Sequence, residues 1–423
     1  MGKKYPIYIE SEIQWIREIP KEWELIKAKW LFKEKSLKGY PNETLLSVSK
    51  GRGLLPRDQL EFKAVMAFKD LENFKLVAPN DFVIHLRSFQ SGFELSKLQG
   101  IVSPAYTVFS GKELIYPRYY QYLFYTKGFI DYIAATTQSL RDGKPIAYNT
   151  FGDMELPLPA YNEQKKIAGF LNFKTDSIDL LIKEKEKLIK LLEEKWQSMI
   201  TEAVTKGLNP NVKMKGSGVE WIGEIPEEWA VSKLGRYITI LGSNYEVSIQ
   251  GVSIPLFKVN DLNYDRQNLH LKYSSEKIVS NSIPISKEVI LIPKRGGAIF
   301  TNKVRIIDCD CFIDSNLMAI KPSSRIDIQY LSYYLLARNL GDIADVSTIP
   351  QINNKQINPL EFLIVPIKEQ REIAEYLNQE SKILNNLKDI IKEQIQKLKE
   401  YRQSLIYEAV TGKIDVRDFK VKA

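Results

Sequence analysis

The chain has 423 residues, a formal charge of +8, and 44% hydrophobic and 26% charged residues. That length supports two or three domains with their own cores, and the composition is that of a globular chain, not a disordered or fibrous one. No apolar run approaches the ~18 residues of a membrane span, and the start MGKKYPIYIE lacks the apolar stretch of a signal peptide, so a cytoplasmic location is expected.

The first recognisable stretch, residues 11–23 (SEIQWIREIPKEW), returns as residues 217–229 (SGVEWIGEIPEEW). Trp15, Ile16, Glu18, Ile19, Pro20, Glu22 and Trp23 all recur 206 positions on, as Trp221, Ile222, Glu224, Ile225, Pro226, Glu228 and Trp229. Two tryptophans flanking an Ile-Pro make an apolar strap that is expected to pack the start of a domain against the end of a helix. In a cyclic arrangement residues 11–23 should therefore lie beside residues 405–415.

Residues 24–158 show apolar runs broken by turn signals. Residues 76–86 (LVAPNDFVIHL) read as two strands joined at Pro79, Asn80 and Asp81, and residues 100–109 (GIVSPAYTVF) as another strand. Pro117 opens a helix through Ala134 with Tyr120, Leu123, Phe124, Ile130 and Ile133 on one face. A turn-rich run, residues 136–159, leads into a long proline-free helix. Residues 163–204 carry Leu171, Ile178, Lys185, Leu192 and Met199 at seven-residue intervals, with Ile182, Ile189, Trp196 and Ala203 four residues after the last four. A 3.5-residue repeat sustained over several heptads is the pattern of a coiled coil, and such a helix is about 60 Å long.

The second half repeats this plan. Residues 254–259, 288–294, 302–308 and 316–322 are strand-like, and a helix is expected over 327–344. Residues 369–410 then return to the long-helix pattern, with Glu369 matching Glu163 and Ala409 matching Ala203 at the same offset of 206, and Leu377, Leu384, Ile391, Leu398 and Leu405 forming the heptad seam. The simplest partner for each seam is the other copy. The fold expected is α+β or mixed: two α/β domains separated by two long antiparallel coiled-coil helices in a tandem repeat. Its divisions are 1–158 (strap and first variable domain), 159–210 (first helix), 211–365 (strap and second variable domain) and 366–423 (second helix and tail).

Signs of catalysis are few. Cys309 and Cys311 are too close for an ordinary disulfide and too few for a zinc site, and read as buried small residues in a strand. His85 and His270, one in each half, provide no histidine cluster for metal or catalysis, so no metal site is expected. There is no phosphate-cradling GxxxxGK[ST] loop. Ser103, Pro104, Ala105 and Tyr106 come near an amino-methyltransferase tetrad but lack its second proline, and Asp58 with Glu61, Phe62 and Lys63 is only faintly like a nuclease site. Both read better as strand or loop. Basic and polar residues instead cluster in predicted loops: Lys50, Arg52 and Arg57 within residues 49–58 (SKGRGLLPRD); Arg87 and Gln90; Lys258, Asn260 and Asn263; and Lys294, Arg295, Asn302 and Lys303 around Gly296 and Gly297. Arg, Lys, Asn and Gln make bidentate contacts to base edges, and Arg and Lys also neutralise phosphate. These twelve residues are the candidate DNA contacts.

The duplicated WIxEIPxxW strap, the EQxxIAxxL start and EAVT end of both helices, residues 347–353 (STIPQIN) with the following FLIVP, and the run Asp314, Ser315, Asn316, Leu317 resemble the specificity subunits of type I restriction-modification systems over essentially the full length. The resemblance implies two target recognition domains, each reading half of a split double-stranded DNA target. It also implies a helical spacer that sets the gap and docks modification subunits, two of them, with restriction subunits as further partners. It implies no chemistry in this chain: S-adenosylmethionine, ATP and magnesium belong to the partner subunits. Gln138, Ser139 and Leu140 stand where the second half has Thr348, Ile349 and Pro350, so the first closing loop is expected to be built differently. The rival readings are a stand-alone DNA methyltransferase or nuclease, and a coiled-coil protein scaffold.

Overall fold

The computed structural model describes residues 3–49, 51–59, 70–84, 93–136, 146–264, 268–346 and 349–420. The chain divides into two units, Met1–Glu184 with Gln394–Ala423, and Lys185–Glu393.

In the first unit the strap opens as a hairpin, Tyr8–Glu10 against Glu18–Pro20. Ile13, Ile16, Ile19 and Trp23 of this segment are buried. An inbound strand, Glu24–Lys27, then pairs antiparallel with an outbound strand, Glu155–Leu158, so the segment between them leaves and returns side by side. That segment builds a four-stranded antiparallel sheet in the order Phe32–Lys35, Thr107–Gly111, Asp81–Ile84, Phe93–Leu95. Alternate side chains of a strand face opposite ways. Phe82, Ile84 and Phe109 accordingly join the main core, while Val83 and Val108 join a smaller one with Leu46, Leu54, Val77 and Val102. The main core is aromatic: Phe32 meets Phe82, Phe109 and Tyr120 edge-on at centroid distances of 5.8, 5.4 and 5.2 Å, the arrangement favoured by ring quadrupoles.

The second unit has a strap hairpin of Met214–Gly216 with Glu224–Pro226, and a paired inbound strand, Ala230–Lys233, and outbound strand, Glu361–Ile364. Its four-stranded sheet runs Ile238–Leu241, Leu317–Pro322, Val289–Pro293, Arg305–Ile307. Ile290, Ile292 and Ile320 face one core; Val289, Leu291 and Ala319 face another. This unit also has a three-stranded sheet of Glu276–Ser280, Val252–Phe257 and Phe312–Ile313; among the described residues of the first unit there is no three-stranded sheet.

The long helices span Tyr161–Lys206 and Ile367–Val410. In the first unit Ile167, Ala168, Leu171 and Ile178 from the start of one share a core with Leu405, Ile406, Ala409 and Val410 from the end of the other. In the second, Ile200, Ala203 and Val204 share a core with Ile373, Ala374 and Leu377. Of the expected seam residues, Leu171, Ile178, Leu377, Leu384, Ile391 and Leu405 are buried, and Ile182, Ile189, Leu192, Met199 and Leu398 half-buried.

The motif at each helix start has a physical explanation. Glu163 accepts the Trp23 indole N–H (3.2 Å) and the Tyr5 hydroxyl (2.6 Å), and Glu369 accepts the Trp229 indole N–H (3.0 Å). The following glutamine is fully used: Gln164 accepts from Tyr116 N–H (2.8 Å) and donates to the Leu114 and Pro159 carbonyls (both 2.9 Å). Gln370 accepts from Asp327 N–H (2.8 Å) and donates to the Arg325 (3.2 Å) and Val365 (2.8 Å) carbonyls. At the helix ends, the Tyr119 hydroxyl donates to the Val410 carbonyl (2.8 Å) and the Tyr330 hydroxyl to the Val204 carbonyl (3.2 Å), satisfying groups a helix leaves open. Gln164→Ala should leave three backbone groups, one of them in a buried hydrogen bond and two part-buried, without their partner and lower unfolding free energy by roughly 1–3 kcal/mol, with Gln370→Ala similar. Denaturant midpoints at unchanged slope would measure it, and a loss near zero would refute the clamp.

The strap meets the chain end as anticipated. Tyr407 donates to the Trp15 carbonyl (3.2 Å), and Lys413 Nζ to the Glu18 carbonyl and carboxylate (both 3.0 Å). Several expectations need correction. Residues 100–109 are two strands, Gly100–Val102 and Thr107–Gly111, because Pro104 sits in a turn closed by Tyr106 N–H on the Ser103 carbonyl. The helix expected from Pro117 to Ala134 breaks into Pro117–Phe124 and Lys127–Thr136 at Thr126, whose hydroxyl donates to the Leu123 carbonyl. That over 327–344 is Ile328–Arg338, capped by Asp327, followed by a short 3-10 turn. Neither cysteine lies in a strand: Cys309 is exposed, and Cys311 is buried in an isolated bridge with Ile285.

Candidate nucleic-acid interface

In the first unit Arg52 stands exposed at the tip of the hairpin Leu46–Ser49/Gly53–Pro56, between Gly51 (φ +70°) and Gly53 (φ +84°). Those left-handed conformations suit glycine. Arg57, half-buried, begins the 3-10 turn after the same hairpin. Beneath the tip lies Glu94, fully buried on the edge strand Phe93–Leu95. One of its oxygens accepts Gly51 N–H at 2.8 Å, the other Gly53 N–H at 3.1 Å, and the Tyr125 hydroxyl donates to it as well. Burial first, and then the neighbouring carboxylate, hold the Tyr125 phenol above its ordinary pKa, so it remains a donor. Lys50, Arg87, Gln90, His85, the Glu61–Lys63 triplet and the closing-loop residues Gln138, Ser139 and Leu140 lie outside the described residues.

The same tip borders a cavity of about 790 Å³ in this unit, lined by Arg52, Lys97, Arg118, Lys127, Asp179 and Arg402 among others. Arg118 donates to Asn172 (2.8 Å) and Gln121 (2.5 Å), both neutral, so its charge is hydrogen-bonded without being cancelled by those partners. Asp179 and Arg402 form an ion pair at 2.9 Å. The cavity is of ligand-pocket size, with a mixed polar and apolar lining and charges of both signs at its wall.

In the second unit Lys258, Asn260 and Asn263 sit on and beside the 3-10 turn Val259–Asn263, the first two exposed. Lys258 pairs with Glu276. Asp261, fully buried within this loop, accepts Lys258 N–H (2.8 Å) on one oxygen and Ser275 N–H (3.2 Å) on the other. Lys294 and Arg295 follow the strand Val289–Pro293. The turn at Asp314–Asn316 joins the two basic loops: Asp314 N–H donates to the Phe257 carbonyl (3.0 Å), and Lys294 N–H to the Asn316 carbonyl (2.7 Å). Residues 350–352 brace the second loop, through Gly296 N–H on the Pro350 carbonyl (2.8 Å) and Ile352 N–H on the Lys294 carbonyl (2.9 Å). Asn302 has another occupation. Its amide donates to the Leu336 carbonyl (2.8 Å) and accepts from Leu340 N–H (3.0 Å), so it fastens the end of a helix, and half-buried Lys303 follows it.

Glu94 was not among the sequence candidates, and Asp261 stood out only as one polar member of the cluster that follows Val259, not as a DNA contact or an anchor. A signal existed for Glu94, a lone charge between Phe93 and Leu95 in an apolar strand; Asp261 looks like any loop aspartate. Elsewhere, Ser103–Tyr106 is a turn over the smaller core, with Tyr106 packed against it. Burial pushes the Cys311 thiol up to about 12, and partial desolvation of the otherwise exposed Cys309, with Asp310 and Asp308 beside it, raises that thiol as well, so neither is a ready thiolate nucleophile. Among the described residues no group of three His, Cys, Asp or Glu could hold a metal ion, and no helix is long and apolar enough to cross a membrane.

Each of the two mixed α/β units holds basic and polar loops on its own frame of paired strands. Residues 226–399 match the family model of the type I restriction modification DNA specificity domain. The chain is 26% identical over 436 residues to the protein assigned as the type I restriction enzyme MjaX specificity subunit of Methanocaldococcus jannaschii, covering 95% of this chain and 96% of that one. To the MjaVIII specificity subunit of the same organism it is 25% identical over 287 residues, 63% of this chain and 64% of the relative. A solved chain described under complex assembly and conformational transition of the type I R-M system superposes with TM-score 0.71 at 16% identity, covering 94% of this chain and 99% of that one. The HsdS subunit from Thermoanaerobacter tengcongensis gives 0.55 at 18%, with 94% and 98% covered; at these identities both speak for the fold. Residues 226–399 thus carry a type I restriction modification DNA specificity domain, and over most of its length the chain is similar to type I restriction enzyme specificity subunits.

Proposed function

We propose that this chain is the sequence-specific DNA-recognition subunit of a type I restriction-modification complex, with each unit's loops reading one half of a bipartite double-stranded target. The observation that carries the reading is the recurrence of one frame around two different fillings. The strap hairpin, the inbound and outbound strand pair, the Trp-to-Glu tie and the glutamine clamp recur 206 residues apart. The framed segments have diverged further than the frame. An internal tandem repeat of this kind lets one chain present two heads to a duplex, as a dimer would. Differing fillings give differing half-sites.

On this reading residues 1–158 and 211–365 hold the recognition domains, and residues 159–210 and 366–423 the antiparallel coiled-coil spacer with its tail. The spacer sets the gap and docks the modification subunits, two of them by symmetry, and restriction subunits assemble beyond them. Large apolar side chains left exposed on the long helices support a docking role, among them Leu180, Leu181, Leu188, Ile383 and Ile390; such patches on a helix face mark interaction surfaces. The chain is non-catalytic and works in the cytoplasm. S-adenosylmethionine, ATP and magnesium bind the partner subunits, which flip and methylate an adenine in each half-site.

Co-expression with the neighbouring modification subunit in a methylation-free host, followed by genome-wide mapping of methyladenine, tests this. A split motif of two short, different halves around a fixed gap is expected. Methylation without a split motif would overturn the two-headed reading. An assembled, S-adenosylmethionine-binding complex that methylates nothing would favour a scaffold instead.

A further inference from the structure

In each unit the loop carrying exposed candidate reading residues is held to a single fully buried carboxylate. Glu94 takes the N–H groups of the two glycines flanking Arg52, one on each oxygen, and is itself held by Tyr125 from the junction of two helices. Asp261 takes Lys258 N–H on one oxygen and Ser275 N–H on the other, fixing the loop that carries Lys258 and Asn260. These anchors differ in sequence context: one stands on a sheet edge, the other within the loop. They share a geometry, a two-oxygen acceptor spanning two points of a reading loop's backbone.

We propose that Glu94 and Asp261 are positioning residues for base reading, each fixing the sequence choice of one half of the target; this rests on the DNA-recognition reading above. A guanidinium reads guanine through two parallel hydrogen bonds, and that preference disappears when the arginine Cα shifts by a fraction of an ångström to an ångström. Arg52 lies between two left-handed glycines, whose backbone freedom would allow many loop shapes. The Glu94 carboxylate selects one of them. Burying a carboxylate is costly, and an apolar residue would fill the same core at less expense. What the carboxylate adds is two directed acceptors that an apolar side chain lacks.

The test uses the complex with the modification subunit and the same methyladenine mapping, with wild type, Glu94→Ala, Glu94→Gln, Tyr125→Phe, Asp261→Ala and Asp261→Asn in parallel. If the wild type yields no split motif, the functional reading fails before any variant is considered. Given a split motif, Glu94→Ala should relax discrimination about tenfold at one or more positions of one half-site, with the other half-site and the gap unchanged. Asp261→Ala should do the same to the opposite half. Glu94→Gln and Asp261→Asn, which keep the shape and one acceptor oxygen, should restore part of the lost discrimination. The untouched half-site reports folding and assembly in every variant. Should an alanine variant abolish methylation altogether, Tyr125→Phe and the two amide variants decide: relaxation confined to the expected half supports the proposal. Discrimination within twofold of wild type at both halves, relaxation of both halves together, or both anchors acting on the same half overturns it.

Discussion

Inserting four residues after Lys185 is expected to widen the unspecified gap between the two half-sites by about one to two base pairs while leaving both halves unchanged. Helix Tyr161–Lys206 runs unbroken through this position. Four residues add about 6 Å of helix, to be compared with 3.4 Å per base pair. They also turn the helix by about one full turn plus 40°, so the apolar side chains beyond the insertion still face nearly the same way. Two inserted residues would rotate them by about 200° and should abolish methylation by breaking the seam. Mapping methyladenine in both insertion mutants reads the outcome. A change in the half-site sequences themselves would mean that the helices are not a ruler.

Gly412→Ala is expected to destabilise the first unit by roughly 2–5 kcal/mol. Gly412 has φ +73°, and a Cβ added there would lie 2.4 Å from Pro20 Cδ and 3.1 Å from the Trp23 ring. The left-handed backbone alone costs an alanine about 1–2 kcal/mol, and forcing the strap away about 1–3 more. Gly39 provides the control: φ is +91° with nothing within 4 Å of its added Cβ. Gly39→Ala should therefore show only the backbone part. Equal losses in chemical denaturation for the two variants would mean that the strap does not press on the chain end.

The frame was legible because duplication makes sequence testify twice. A tryptophan strap, an EQ pair and an EAVT end that return at one offset are difficult to read as chance, although sequence could not say why. The structure supplies the reason in Trp23 with Glu163 and in the three bonds of Gln164. The fillings were less legible. A period-two pattern located most strands, but the turn at Pro104 was absorbed into a run of strand-formers, and the interruption at Thr126 left the apolar face of residues 117–134 intact. Among candidate contacts, composition picked out loops and could not separate a free amide from one already in use. Asn302 shows the limit, since its hydrogen bonds go to carbonyl and N–H groups more than thirty residues away. The anchoring roles of Glu94 and Asp261 escaped notice for the opposite reason: each holds two backbone N–H groups, which no side-chain motif encodes.

The inbound and outbound strands have a consequence for how such a gene can change. Glu24–Lys27 pairs with Glu155–Leu158, and Ala230–Lys233 with Glu361–Ile364, so each filling begins and ends at neighbouring points on its frame. A filling of another length or fold can occupy the same doorway as long as its two ends arrive as adjacent strands. Crossovers between related genes within the coding sequence of these strands would exchange whole heads at once. New binding preferences can then arise by shuffling, without passing through half-formed intermediates.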